Sequence, residues 1–118
     1  MAQQTTFIVD LVMYTGCDFA QTFVLEDNLS NALKDTTGYT ACAQMRRFET
    51  ASAAATFNVD FSSDRAQGKL EISLTNTTTQ TLKPGKYFYD VILKDDSNIK
   101  ERIVEGTVTV KKAVTRLY

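Results

Sequence analysis

The chain has 118 residues, a formal net charge of -1, a hydrophobic content of 43% and no histidine. This length is typical of one domain, and the hydrophobic content is too high for a disordered chain. The balanced charge gives no field that would attract nucleic acid or an anionic membrane, so neither is an expected partner. The missing histidine removes the commonest general base and most zinc sites.

Alternation of apolar and polar residues recurs along the chain and predicts β-strands. The predicted strands cover residues 6–13, 18–25, 39–48, 57–61, 70–74, 86–94 and 103–110. Between them lie short segments rich in Gly, Asp, Asn, Ser and Thr, which favour turns. Seven strands without a convincing helix predict a β-sandwich or a small β-barrel in a single domain over residues 1–118.

Three segments carry more specific expectations. In the third strand, Ala43 and Met45 belong to the inward row and Cys42 to the outward row. The strand over residues 86–94 is partly apolar on both faces, which predicts a central strand covered on both sides. The threonine-rich tract before it is expected to be irregular and to end in a type II turn at Pro84–Gly85.

Chemically versatile residues are few and scattered. Cys17 and Cys42 lie 25 residues apart and are expected to be free thiols. Acidic pairs are interpreted as solvated turn or outward positions, not as acid/base pairs or calcium ligands. These pairs are Glu26 with Asp27, Asp60 with Asp64, Asp95 with Asp96, and Glu101 with Glu105. We therefore predict no catalytic, cofactor-binding or metal-binding residues, no small-molecule substrate and no enzyme.

The aromatic residues separate two kinds of binding module. Tyr87 and Tyr89 on a central strand indicate core packing, because no basic groove accompanies them as in nucleic-acid binders. A carbohydrate-binding module would instead expose tyrosines as platforms, so the burial of these two residues and of Tyr39 discriminates between the interpretations. Arg46 and Arg47 are expected to be solvated or to lie in an interface.

The tail over residues 111–118 is basic and partly apolar but lacks a core periodicity. We interpret it as an attachment arm, with an ordered last strand as the alternative. The candidate interface residues are Lys111, Lys112, Val114, Arg116, Leu117 and Tyr118. The first six residues carry no positive charge, so they do not predict a signal peptide, and synthesis in the cytoplasm is expected.

Five short segments, in order along the chain, resemble one known group of proteins. Gly38–Arg46 is similar to the "GYTA.AQ.R" strand of small structural proteins of tailed bacteriophages, including the N-terminal sandwich domain of some baseplate upper proteins. Pro84–Val91 resembles their "GxYxYDV" strand, and Glu105–Val110 resembles their "GxVxV" strand. Val114–Arg116 resembles the closing "VTR", and Gly16–Phe19 is similar to a "GD-F" turn interrupted by cysteine.

The resemblance implies a single seven-stranded antiparallel immunoglobulin-like β-sandwich. It also implies a non-enzymatic structural subunit of a contractile-tailed phage, made in the host cytoplasm and built into the virion. Baseplate, tail, neck and capsid surface all use such modules, and the fold does not choose among them. The expected partners are other virion proteins and further copies of the chain. A carbohydrate- or receptor-binding sandwich is the alternative function.

Overall fold

A computed structural model describes residues 7–25 and 35–115, most of which lie in β-strands. The strands are β1 (Phe7–Ile8), β2 (Leu11–Tyr14), β3 (Phe19–Val24), β4 (Thr40–Arg46), β5 (Ala55–Thr56), β6 (Asn58–Phe61), β7 (Lys69–Leu74), β8 (Gly85–Lys94) and β9 (Lys100–Lys111). A short helix, α1 (Asn76–Gln80), and a 3-10 turn at Arg65–Gln67 complete the regular structure of these ranges. The predicted all-β class is confirmed. No helix within these ranges is long and apolar enough to span a membrane.

The strands form two sheets. In the larger sheet, β1 and β2 lie beside β9, followed in order by β8, β4 and β5, and the smaller sheet has the order β3–β7–β6. Most neighbours are antiparallel, but β1 and β2 run parallel to β9, with Phe7 opposite Val104 and Tyr14 opposite Lys111. The larger sheet is therefore mixed, which differs from the antiparallel expectation. The reason is that β3, the next strand along the chain, pairs in the other sheet, which leaves β1 and β2 to pair with the last strand.

The structure has nine strands in its described residues where the sequence predicts seven. One addition arises because the predicted strand over residues 6–13 is divided into β1 and β2 at Val9–Asp10. The other is β5, a two-residue strand that pairs with the end of β4 before the chain crosses to β6 in the smaller sheet. Both extra strands arise from local changes in which strands pair, and an alternating pattern does not reveal such changes.

Side chains from both sheets meet in one hydrophobic cluster. The inward row predicted for the third strand is confirmed, because Ala43 and Met45 are 1% and 0% exposed. Phe57 links the sheets, since its ring centroid lies 6.2 Å from that of Phe19 on β3 and 6.2 Å from that of Tyr89 on β8. Burial of each large side chain in such a cluster stabilises the fold by about 1.5–3 kcal/mol.

The threonine-rich tract before β8 contains a helix that the sequence pattern does not predict. Thr75 caps it by accepting a hydrogen bond from the Thr78 amide. Thr79 is completely buried, and its hydroxyl donates to the carbonyl oxygen of Cys17 at 2.8 Å. The tract has no apolar periodicity. The helix is held instead by its N-terminal cap and by the buried Thr79, which takes the place of an apolar face. The tract leads to Gly85, which begins β8 with a φ of 142° that favours glycine. The third residue of a type II turn has a φ of about 80°, so this is not the turn geometry that the sequence predicts.

The break between β1 and β2 results from an exchange of hydrogen-bond partners. A parallel ladder would pair the Thr107 amide with the carbonyl oxygen of Val9, because the Val9 amide already donates to Glu105 at 2.9 Å. The Thr107 amide donates instead to the carboxylate of Asp10 at 3.0 Å, and the Thr107 hydroxyl donates to the same oxygen at 3.0 Å. The Val9 carbonyl accepts from the hydroxyl of Tyr89 at 2.5 Å.

Gly106 makes this exchange sterically feasible. It lies opposite Tyr89 in the β8–β9 ladder, and the Val9 carbonyl group lies directly against its Cα. A Cβ atom at this position would overlap the Val9 oxygen and lie 2.8 Å from the Val9 carbonyl carbon. Because backbone atoms cannot rotate away as a side-chain tip can, the first strand docks on the last only if residue 106 has no side chain.

We therefore expect Gly106→Ala to destabilise the fold by about 1–3 kcal/mol, the range for inserting an atom into a packed site. Alanine is otherwise the better residue in a strand, so a loss of stability isolates the steric effect. Urea unfolding followed by circular dichroism would measure the change. Thr109→Ala, at an exposed position of the same strand, is the matched control and should stay within about 0.5 kcal/mol of the unchanged chain. Equal stabilities of the two variants would contradict the role assigned to Gly106.

Candidate protein-interaction face

The strand β8 shows how the larger sheet divides its side chains between core and surface. Tyr87, Tyr89, Val91 and Leu93 point inward and are buried. The alternate residues point away from the core, and Phe88 among them is 45% exposed. The strand is central, as predicted, because β9 and β4 flank it. The expected cover on its outer side is not provided by any described part of the chain.

We call the solvent-facing side of the larger sheet the outer sheet face. Its large exposed apolar residues are Ile8, Val12, Tyr14 and Phe88, which are 74%, 49%, 47% and 45% exposed. Phe48, in the connection after β4, is 67% exposed and borders the same surface. Single exposed apolar residues are ordinary on protein surfaces, but a group on one sheet face is typical of an interaction site.

A shallow depression of about 960 Å³ occupies the middle of this face and is lined by residues of β4, β8 and β9. Several of its charged side chains are held by contacts within the chain. Arg46 donates to the Gln44 side chain at 2.8 Å and to the carbonyl oxygen of Ala51. Arg102 pairs with Glu105 at 3.4 Å. The face therefore presents fixed charges of both signs around Phe88, which suits a specific protein contact.

Lys86 and Arg47 are two cationic residues at one end of the face, and each lies over an aromatic ring. The ammonium nitrogen of Lys86 lies 5.5 Å from the centroid of the Phe88 ring, within range of a cation–π interaction. The guanidinium carbon of Arg47 lies 4.7 Å from the centroid of the Tyr87 ring, and Arg47 donates to the Lys86 carbonyl at 3.3 Å. Arg47 thus packs against the fold, whereas Lys86 presents its charge on the outer sheet face.

The carboxylates of the turns are the side chains that could serve as metal ligands. In the described ranges, no three His, Cys, Asp or Glu side chains are placed to hold a metal ion. Asp95 instead organises its own turn by accepting from the amides of Ser97 and Ile99, each at 2.9 Å. Asp64 caps the 3-10 turn by accepting from the Ala66 amide at 3.1 Å. These carboxylates have the turn roles that the sequence predicts.

The predicted interface residues of the tail lie partly within the last strand. Lys111 ends β9, and its carbonyl oxygen accepts from the Thr15 amide at 2.9 Å. Lys112 is exposed, and Val114 is 93% exposed. Arg116, Leu117 and Tyr118 lie outside the described residues, as do residues 1–6. The amide of Ala113 still donates to the Thr15 hydroxyl at 3.3 Å, so an attachment arm would begin after Ala113.

Tyr39, Tyr87 and Tyr89 are the tyrosines whose burial the sequence predicts. Tyr87 and Tyr89 are 3% and 4% exposed, and Tyr39 is partly buried, as expected. The exposed aromatic residues Phe88 and Tyr14 were not identified from the sequence. Phe88 lies in an alternating row whose apolar character predicts burial, and only the absence of a covering element in the described chain reveals its exposure.

Comparisons with known proteins find solved structures of low similarity and no related sequence. No protein-family model matches the chain, and no curated protein matches it in sequence. The chain is similar to one in the crystal structure of ICOS in complex with ICOS-L and an anti ICOS-L VNAR domain, at 10% identity and a TM-score of 0.49, over 92% of this chain. It spans 56% of that chain's length. It is also similar to CopC from Methylosinus trichosporium OB3b, at 10% identity and a TM-score of 0.46, over 96% of this chain and 89% of that one.

Tyr89 should make the stability of the fold sensitive to alkaline pH. Burial raises the pKa of its phenol well above the usual range, and the charge of Asp10 raises it further. The tyrosine of the unfolded chain ionises near pH 10, so this contribution is complete below about pH 10 and is lost as the pH rises further. We expect Tyr89→Phe to flatten that loss, and to cost about 1 kcal/mol at neutral pH because the bond to Val9 disappears. Urea unfolding at a series of pH values would measure both effects.

The control for this measurement is Tyr14→Phe, which removes an exposed hydroxyl from the neighbouring edge strand. If both variants lose stability at high pH as steeply as the unchanged chain, then the buried phenol of Tyr89 does not cause the loss of stability above about pH 10.

The two cysteines should react with a thiol reagent without unfolding. Cys17 and Cys42 are both exposed and free, as predicted, and Cys42 points outward from β4. We expect two thiols per chain under native conditions in the absence of reductant, measured by mass spectrometry after alkylation. Cys42→Ser, which removes the thiol on the outer sheet face, should reduce this value by one. Labelling that required denaturant would contradict the exposure of these residues.

Proposed function

We propose that this chain is a non-enzymatic structural subunit of a contractile-tailed bacteriophage virion and that it works by binding other proteins. The observation that carries the proposal is the group of exposed apolar residues on the outer sheet face, including Ile8, Val12 and Phe88. A monomer that acted alone would gain nothing from exposing them, whereas a subunit covers them on assembly. The ordered set of phage-like segments along the sequence supports placing that assembly in a virion.

The proposed architecture is an immunoglobulin-like β-sandwich, and the strand order supports it. The strands β3, β7 and β6 correspond to the B, E and D strands of one sheet in such domains. The strands β9, β8, β4 and β5 correspond to the G, F, C and C′ strands of the other sheet. A fold of this kind carries its partners on sheet faces, sheet edges or end loops, so the architecture alone does not select among virion locations.

A carbohydrate- or receptor-binding module is the competing proposal. Sugar sites place exposed aromatic platforms beside hydrogen-bonding side chains. The exposed Phe88 has such neighbours in Lys86 and Asp90, but it lies in a shallow, open depression that also includes the apolar side chains of Ile8 and Phe48. Ile8 and Val12 are exposed on the same face and offer a sugar no hydrogen bond, so protein binding accounts better for this surface.

The decisive experiment is mass spectrometry of purified particles of a phage that encodes this chain. We expect the chain in multiple copies per particle, together with intact tail proteins. Its absence from particles, with abundant chain left in the lysate, would contradict the proposal.

A truncation tests whether the tail contributes to that assembly. Cutting the chain after Ala113 removes Val114 and the residues after it but keeps every described hydrogen bond of the last strand. We expect the shortened chain to unfold at the same temperature as the full chain and to enter particles less efficiently. Equal incorporation of the two chains would exclude the attachment arm and leave the outer sheet face as the contact.

A further inference from the structure

We infer that the outer sheet face binds the same face of a second copy, across a two-fold axis that passes over Phe88 and runs perpendicular to β8. The inference deepens the proposed function, because it rests on assigning this face to protein contact and names the partner. Symmetric two-fold contacts are the commonest way in which identical chains associate. They require a surface that is complementary to itself, and the outward residues of β8 have that property.

The first argument is the charge pattern along β8. Lys86, Phe88 and Asp90 are consecutive outward residues, so the lysine and the aspartate lie about 6.6 Å on either side of the phenylalanine along the strand. Two copies of β8 placed face to face and antiparallel therefore bring Phe88 against Phe88. The same placement brings each Lys86 against Asp90 of the other copy. The pattern positive, aromatic, negative is complementary to itself only in this antiparallel orientation.

The second argument comes from the edge strands and is independent of the first. Val12 lies opposite Thr109, which lies opposite Lys86, so Val12 belongs to the Lys86 row of the sheet. Ile8 lies opposite Glu105, which lies opposite Asp90, so Ile8 belongs to the Asp90 row. The two-fold that exchanges these rows brings Val12 of one copy against Ile8 of the other. Both side chains are exposed in the isolated chain, at 49% and 74%.

A two-fold axis parallel to the strands would bring like charges of β8 and β9 together. An axis between β8 and β9 would bring Asp90 against Glu105, because these residues are opposite each other in the ladder. It would also bring Lys94 against Lys100, which are opposite each other at the far end of the same ladder. Like charges facing each other across an interface cost several kcal/mol. The sequence Lys86, Phe88, Asp90 on β8 is therefore matched to itself by the perpendicular axis and not by an axis parallel to the strands.

Two further charges lie in the Phe88 row and face their own equivalents in this arrangement. Arg46 lies on β4 opposite Phe88, and its guanidinium is tied to the Ala51 carbonyl in the connection after β4. Asp10 lies on the other flank and is bound by both the amide and the hydroxyl of Thr107. Their hydrogen-bond partners are uncharged, so both groups keep their charges and oppose the contact. Arg102 and Lys111 of β9 lie in rows that the axis exchanges and also oppose it. Association therefore depends on the two Lys86–Asp90 pairs and on the apolar residues at the centre.

The inference is tested by charge reversal on the full chain, with sedimentation equilibrium in reductant as the measurement. Lys86→Glu and Asp90→Lys should each raise the dissociation constant of the dimer at least about tenfold, because each places like charges together twice. An equimolar mixture of these two variants should recover the dimer, since the mixed pair contains only opposite charges. The double variant, with both changes in one chain, should also recover it.

Lys94→Glu is the matched control, because it makes the same change of charge on the same strand but lies about 20 Å from Phe88. It should leave the dissociation constant within about twofold of the unchanged chain, which corresponds to the small effect of a charge outside an interface. Thermal melts should show all variants folded, since Lys86 and Lys94 are exposed. A dimer as sensitive to Lys94→Glu as to Lys86→Glu would reflect net charge and would overturn the inference.

The apolar centre is tested separately by Phe88→Ser, with Ile99→Ser as its control. Ile99 is 58% exposed in the turn after β8 and lies outside the predicted contact. We expect the first variant to be monomeric at concentrations where the second is dimeric. A chain that is monomeric at every concentration, or a mixture of Lys86→Glu and Asp90→Lys that stays monomeric, would overturn the inference. If the chain is monomeric but is still found in phage particles, the dimer inference fails and the proposed function stands. If the chain forms the charge-dependent dimer but is absent from particles, the proposed function fails and the dimer inference stands.

Discussion

The larger sheet depends on the contact between the Val9 carbonyl group and Gly106. This approach lets the phenol of Tyr89 reach across β9 and bind the edge strand, a contact between residues 80 positions apart in sequence. The carboxylate of Asp10 then takes the amide that Val9 no longer pairs with. One missing side chain thus allows β1 and β2 to close the sheet beside β9. Their closure covers the inner residues Leu11 and Met13, which are 4% and 2% exposed.

The same contact also determines what the outer sheet face looks like. The register does not change across the break, because Ile8 lies opposite Glu105 and Leu11 lies opposite Val108. The outward residues Ile8 and Val12 therefore remain on one face, with Asp10 held between them. The candidate contact therefore depends on the stability of this edge. If β1 and β2 detached from β9, Ile8 and Val12 would be lost from the outer sheet face.

Much of this fold could be predicted from the sequence, because alternation reports which side of a strand faces the core. The rows containing Ala43, Met45, Tyr87 and Tyr89 were identified in this way, and the structure confirms them. Alternation does not report which strand lies next to which, so the parallel pairing of β1 and β2 with β9 was missed. A glycine inside a predicted strand is a sign of close backbone approach, and Gly106 carried that signal.

The helix α1 and the outer sheet face were missed for different physical reasons. The helix is specified by the local cap at Thr75 and by the buried hydroxyl of Thr79, whose bond to the Cys17 carbonyl depends on residues brought together by folding. The outer sheet face was misinterpreted because an apolar residue such as Phe88 has the same pattern whether it is covered by its own chain or by another molecule. Periodicity measures a tendency to be buried, and assembly satisfies that tendency as well as folding does.

Covering a sheet face differs physically from joining sheet edges, and the two kinds of contact can coexist in one subunit. In the smaller sheet, β3 and β6 each pair with β7 on one side only among the described residues. Backbone groups at such edges accept a further strand with little regard to its side chains, whereas a face requires matched side chains. A dimer formed through the outer sheet face would close on itself and stop. Growth beyond two copies must then use the edges or the tail after Ala113, which the two-fold contact leaves available for other subunits.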